Sequence, residues 1–107
     1  MKILKESDMV RGWFVGDFSP TAFNSKECEV SVRRYSAGDY EKKHYHKVAT
    51  EVTIIVSGTV VMNGKEYTTG DIIIMEPGEP TDFLAKTDAI NTVVKIPSVK
   101  NDKYLVE

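Results

Sequence analysis

Two histidines occur in the chain, His44 and His46, two residues apart, and Glu51 follows five residues later. On an extended strand residues i and i+2 point to one face. His44 and His46 then aim both imidazoles into one small volume. If the chain bends after Val48, Glu51 on the next strand points there too. Two neutral imidazoles and a carboxylate are the donors that a divalent transition metal takes when coordination positions stay open for a substrate. The same histidines, without a metal, are residues for general acid and base chemistry. A plainer reading is also open: a His-x-His pair on a strand can be structural, and Glu51 can pair with Lys42, Lys43 or Lys47.

The elements that must position these residues read as strands. Val, Ile, Thr and aromatic residues recur in short runs bounded by Gly, Pro, Asn and Asp, and no segment sustains a 3.6-residue apolar period. The expected strands are Arg11 to Val15, Glu27 to Tyr35, Tyr40 to His46, Glu51 to Val56, Thr59 to Met62, Lys65 to Thr68, Ile72 to Met75, Thr81 to Ala85 and Ile90 to Ile96. Gly16 to Lys26 reads as loop, with Ser19-Pro20 and Asn24-Ser25 as breakers. Asn63-Gly64 is the signature of a type I′ hairpin turn. From Pro97 onward the chain reads as peripheral, with Tyr104-Leu105-Val106 as a possible edge strand. Many short strands with frequent turns argue for an all-β sandwich or barrel.

Glycines frame the histidine segment. Gly38 to Gly58 reads G-x5-H-x-H-x4-E-x6-G, which resembles the first motif of the cupins throughout. The family's second motif, G-x5-P-x-G-x2-H-x3-N, is matched in part by Gly70 and Gly78. Its proline falls on Glu76 beside Pro77, its histidine on Thr81 and its asparagine on Ala85. The resemblance covers roughly residues 30 to 96. It implies a cupin-type double-stranded β-helix, or jelly-roll barrel, as a single domain over residues 1–107.

The resemblance also implies a divalent metal (Fe, Mn, Ni or Zn) held at the barrel mouth by His44, His46 and Glu51. Thr81 replaces the further histidine ligand, and a hydroxyl is a poorer ligand than imidazole. That leaves a three-ligand site with open positions, suited to isomerase, oxygenase or lyase chemistry on a small polar molecule. Asp82 is a second-choice ligand, because strand parity puts it on the opposite face from Thr81. Two alternatives stand beside this. One is a metal-free sugar or sugar-nucleotide isomerase or epimerase with His44 or His46 as base. The other is a non-catalytic module that binds or senses a small ligand. Tyr35, Tyr40, Thr81 and Phe83 are candidates for the substrate pocket. Tyr45 and one of Arg33 or Arg34 also lie close to the histidine strand.

With 41% hydrophobic and 28% charged residues among 107 and a formal net charge of −2, the chain resembles an ordinary globule and offers no nucleic-acid surface. No apolar run is long enough to span a bilayer. The amino-terminal residues are too charged for a signal peptide. The single cysteine, Cys28, forms no internal disulfide and is compatible with the cytoplasm. Parity supplies one more expectation. If Glu51, Thr53 and Ile55 face inward, then Val52, Ile54 and Val56 face outward and need cover. A homodimer would provide it, as would the chain's own amino-terminal strand. Trp13, Phe14 and Phe18 read as spare apolar surface nearby.

Overall fold

The computed structural model describes all 107 residues. After a single 3-10 turn at Glu6–Asp8 come eleven strands: β1 (Trp13–Gly16), β2 (Phe23–Asn24), β3 (Glu29–Tyr35), β4 (Tyr40–Tyr45), β5 (Thr50–Ser57), β6 (Thr59–Met62), β7 (Lys65–Thr68), β8 (Ile72–Met75), β9 (Thr81–Ala85), β10 (Ala89–Ile96) and β11 (Tyr104–Leu105). They form a six-stranded sheet in the order β2-β1-β3-β10-β5-β8 and a five-stranded sheet in the order β11-β4-β9-β6-β7. All pairs are antiparallel except β1 with β2. From β3 to β6, and again from β7 to β11, each connection passes from one sheet to the other, so the chain winds around a central space.

Two turns show why this sequence folds this way. Asn63 and Gly64 both take positive φ, 50° and 77°, as a type I′ turn requires, and they join β6 to β7 with Met62 opposite Lys65. Gly58 ends the histidine motif for a different reason. Its φ is +90°, and a Cβ there would lie 2.2 Å from the Asp88 carbonyl oxygen. The β5–β6 turn needs glycine on both counts.

One end of the barrel is closed by Ile55, Val60, Met62, Phe83, Ala85 and Ala89, all buried. Tyr35, Tyr67 and Ile73 pack against them. These residues sit at alternate positions on their strands, which is the pleat pointing one set of side chains inward.

The structure corrects several expectations. A short strand, β2, lies inside the expected loop of residues 16–26, because Phe23–Asn24 pairs with Val15–Gly16. The amino-terminal strand does not cover the outer face of β5. It extends the same sheet beyond β3, and Trp13 and Phe18 turn toward the barrel opening instead of forming spare surface. The outer face stays open, with Ile54 and Val56 on β5 and Ile72 and Ile74 on β8 exposed. The segment after Pro97 is not peripheral throughout. β11 adds to β4 the edge strand expected there, but Asp102 just before it is 4% exposed.

Candidate functional site

The end of the barrel opposite the closed core opens into a cavity of about 440 Å³. His44, His46, Glu51, Thr81, Tyr35 and Phe83 all line it. Tyr40 does not. Between Glu41 and His44, β4 carries three residues' advance against two on β9, since Glu41 pairs with Phe83 and His44 with Thr81. This bulge changes the parity of the strand. It turns Glu41 into the cavity and leaves Tyr40 outside, 58% exposed, in a shallow groove with Glu6 and Arg34. Simple alternation from His44 therefore selects the wrong residue, and Tyr40 is withdrawn from the pocket. Tyr45 also faces away and stacks on Tyr104.

Both imidazoles are oriented through Nδ1 by main-chain carbonyls. His44 Nδ1 lies 2.9 Å from the Lys42 carbonyl oxygen, and His46 Nδ1 meets the carbonyl oxygen of Asp102. A carbonyl can only accept, so Nδ1 carries the proton in each ring, and in the neutral imidazole Nε2 keeps its lone pair. Asp102 does more than offer its carbonyl. Its carboxylate accepts the backbone N–H groups of Lys47 at 2.9 Å, Val48 at 3.1 Å and Ala49 at 2.9 Å. Burial pushes the Asp102 carboxyl up, but these three donors outweigh it and hold its pKa below the ordinary value. The loop that carries His46 is thus fixed by a residue more than fifty positions away.

His46 Nε2 stands 3.4 Å from Glu51 Oε1. The Thr53 hydroxyl donates to the other Glu51 oxygen at 3.4 Å. The contact with Glu51 raises the His46 pKa, with help from the Asp102 carbonyl and against burial. For Glu51 burial acts upward, yet the contact with His46 and the charges of His46, Lys95 and His44 bring its pKa below the ordinary value. His44 approaches from the same side, its ring centroid 5.6 Å from that of His46.

Two more carboxylates belong to the polar lining. Glu41 accepts the Tyr35 hydroxyl at 3.0 Å and an Arg33 N–H at 3.4 Å. Burial, then the Glu41 charge, pushes the Tyr35 pKa far above that of a free phenol, so Tyr35 stays protonated and donating. Its ring packs on Phe83, with centroids 4.5 Å apart. Of the two arginines, Arg33 faces inward, while Arg34 pairs on the surface with Glu6. Glu29 lies 3.5 Å from Lys95 Nζ and accepts the Ser98 hydroxyl at 2.8 Å.

Thr81 is buried, inward-facing and in register with His44, as parity requires. Its hydroxyl donates to the Asp82 carbonyl. The Asp82 carboxylate accepts the Asn63 N–H at 2.8 Å, which ties it to the β6–β7 hairpin. Asp82 is therefore set aside as a ligand.

No group of three or more His, Cys, Asp or Glu side chains stands arranged as a metal-binding set. The donors nevertheless fit a divalent ion in kind. Two imidazoles with Nδ1 held by acceptors and a carboxylate beside one Nε2 are the orientation that metal-ligating histidines show.

Sequence reasoning overlooked Glu29, Glu41, Asn91, Lys95 and Asp102. Asn91 and Lys95 carried a signal, since they interrupt an apolar strand at positions of equal parity. Glu41 was hidden by the bulge, and nothing local marks Asp102.

Scanned against models of protein families and against curated proteins, the sequence finds no match. Solved structures do match. A protein from Klebsiella pneumoniae with a double-stranded beta-helix domain is 22% identical with a TM-score of 0.70, covering 78% of this chain and 73% of its own. An RmlC-like cupin from Shewanella frigidimarina is 23% identical with a TM-score of 0.66, covering 74% and 73%. The DMSP lyase DddQ from Ruegeria pomeroyi is 20% identical with a TM-score of 0.73; 88% of this chain is covered, but only 49% of that one. This chain thus spans about half the length of the lyase. The two sheets, the winding between them and these neighbours agree: the chain has the double-stranded β-helix fold of the cupins.

Proposed function

We propose that the chain is a cupin-fold enzyme that binds a divalent transition metal through His44, His46 and Glu51 and acts on a small polar molecule by isomerase, oxygenase or lyase chemistry. The observation that carries this is the pair of imidazoles whose Nδ1 atoms face main-chain carbonyls, so that the donors an ion would take are the two Nε2 atoms and the Glu51 carboxylate 3.4 Å from that of His46. A bound ion would polarise a substrate oxygen as a Lewis acid. The chain's own residues do the rest. Glu51 supplies charge compensation, Tyr35 a hydroxyl that stays protonated and donates to Glu41, and Phe83 and Met62 apolar wall. That one structural neighbour is a lyase supports an enzymatic reading. Equilibrium dialysis of tag-free protein against Mn, Fe(II), Ni and Zn tests it. One ion per chain is expected, with uptake reduced at least tenfold in His44→Ala and in His46→Ala.

The His46–Glu51 contact favours a second reading, in which the two side chains share a proton and His46 serves as base without a metal. No uptake of any ion, with turnover of sugars or sugar nucleotides retained, would select it. Binding without turnover would select a sensing or storage module.

The exposed outer face of β5 and β8 supports a homodimer. Ile54, Val56, Ile72 and Ile74 form an apolar surface on neighbouring strands, at the open edge of the six-stranded sheet. A two-fold axis there would bring like residues together and cover that surface. Light scattering should report a dimer, and Ile54→Lys a monomer; a monomeric wild type would contradict this.

A further inference from the structure

The cavity wall carries two polar groups that the metal reading does not use. Asn91 on β10 is 2% exposed, and its Oδ1 has no hydrogen-bond partner. Arg33 is its register partner on β3 and lines the same cavity. The Arg33 guanidinium gives one long N–H contact to Glu41 at 3.4 Å and lies 5.6 Å from the Tyr35 ring centroid. Nearby hydroxyls are engaged elsewhere: Ser31 donates to the Arg11 carbonyl and Thr53 to Glu51. None of them satisfies Asn91.

A buried amide oxygen without a donor is rare in folded proteins and calls for an explanation. It needs an O–H or N–H, while the Arg33 guanidinium, paired with Glu41 through one N–H, has further N–H groups that can donate to a second acceptor, and a carboxylate suits their fork geometry best. The two stand side by side on paired strands. A hydroxyl beside a carboxylate, on neighbouring atoms of one molecule, matches them together. We infer that Asn91 and Arg33 form a specificity subsite for a small hydroxy acid, Asn91 accepting the ligand hydroxyl and Arg33 binding its carboxylate. The inference rests on the cavity being the substrate pocket and names the class of substrate it admits.

The test needs no knowledge of the natural ligand. Lactate against propionate, and tartrate against succinate, are pairs that differ in hydroxyl groups. Titrated into the ¹⁵N-labelled full chain, the hydroxylated member should bind at least tenfold more tightly and shift the Asn91 side-chain amide resonances. In Asn91→Leu, and in Asn91→Ala, which adds no bulk, the preference should fall to within twofold. Arg33→Gln should weaken both members at least tenfold. Asn91→Leu should also raise the melting temperature by about 5 °C, because it removes an unsatisfied buried group. A lower melting temperature in that variant would mean that Asn91 is structural and overturn the inference. So would equal affinity within each pair for the wild type, or binding of neither acid. Metal uptake is read separately. Wild type that takes up no metal but prefers the hydroxy acids would leave the subsite standing and sink the metal reading.

Discussion

The two ends of the barrel are built from the same strands and differ in almost every other respect. At the closed end β5, β6, β9 and β10 contribute Ile55, Val60, Phe83, Ala85 and Ala89, all buried and apolar. At the open end β5 and β10 contribute Glu51 and Lys95, which meet in register, and β9 contributes Thr81 opposite His44. Moving a few residues along a strand without changing its parity takes a side chain from packing to chemistry. The closed end holds the strands in register by excluding water. The open end then gathers charged groups whose burial is offset only where that register brings each to a partner, as Lys95 to Glu51. Asn91 sits between, as a polar group at the border of the apolar zone, where an orphan oxygen costs about 1–3 kcal/mol.

That division of labour can be broken from either side. The largest effect belongs to the closed end. Ile55→Ala should cost about 3 kcal/mol of stability, from lost burial and the cavity left behind. Metal uptake per folded chain should not change. Urea unfolding with parallel dialysis checks both, and an equal loss of metal would show that the two ends are not separable.

Asp102→Ala acts on the open end and should cost less, about 2 kcal/mol, because it strands the backbone N–H groups of Lys47, Val48 and Ala49. Unlike Ile55→Ala, it should also weaken metal binding, since the loop it loosens carries His46. Stability lost with full metal affinity would mean that the Asp102 anchor does not position the histidine.

The smallest effect is pH dependence in the metal-free protein. The His46 pKa is raised, so its contribution to stability is complete below the ordinary value of 6.5 and fades as pH rises through the elevated value. The Glu51 pKa is lowered, so its contribution is present above 4.5 and is lost as pH falls through the lowered value. The advantage of wild type over His46→Gln should therefore be greatest between about pH 4.5 and 6.5 and shrink above it. Metal binding should run the other way on the alkaline side and strengthen as His46 gives up its proton. Urea midpoints at pH 5.5 and 8, with and without metal, give both trends, and an advantage that grows toward pH 8 without metal would contradict the pairing.

Much of the closed end was legible in the sequence. Period-two alternation placed Thr53 and Ile55 inward, Asn63-Gly64 fixed a hairpin, and the framing glycines led to the correct fold. The open end was legible only where local rules held. His44, His46, Glu51, Thr81 and Phe83 reach the cavity as parity requires. Tyr40 fails because a bulge changes the count between Glu41 and His44. A bulge leaves no reliable mark in a run of polar residues such as Tyr40-Glu41-Lys42-Lys43. Asp102 was invisible for another reason: its role is set by tertiary contact with a loop far away in sequence. The outer face of β5 was legible as apolar, and Ile54 and Val56 on it are exposed.

The central claim is that His44, His46 and Glu51 share one metal ion, and a crystal of the tag-free protein grown with Mn²⁺, measured for anomalous scattering, tests it most directly. A single strong peak is expected in the cavity, within coordination distance of Nε2 of both histidines and an oxygen of Glu51. No peak at any Mn²⁺ concentration the crystal tolerates, or a peak bound only by groups outside the cavity, would contradict it.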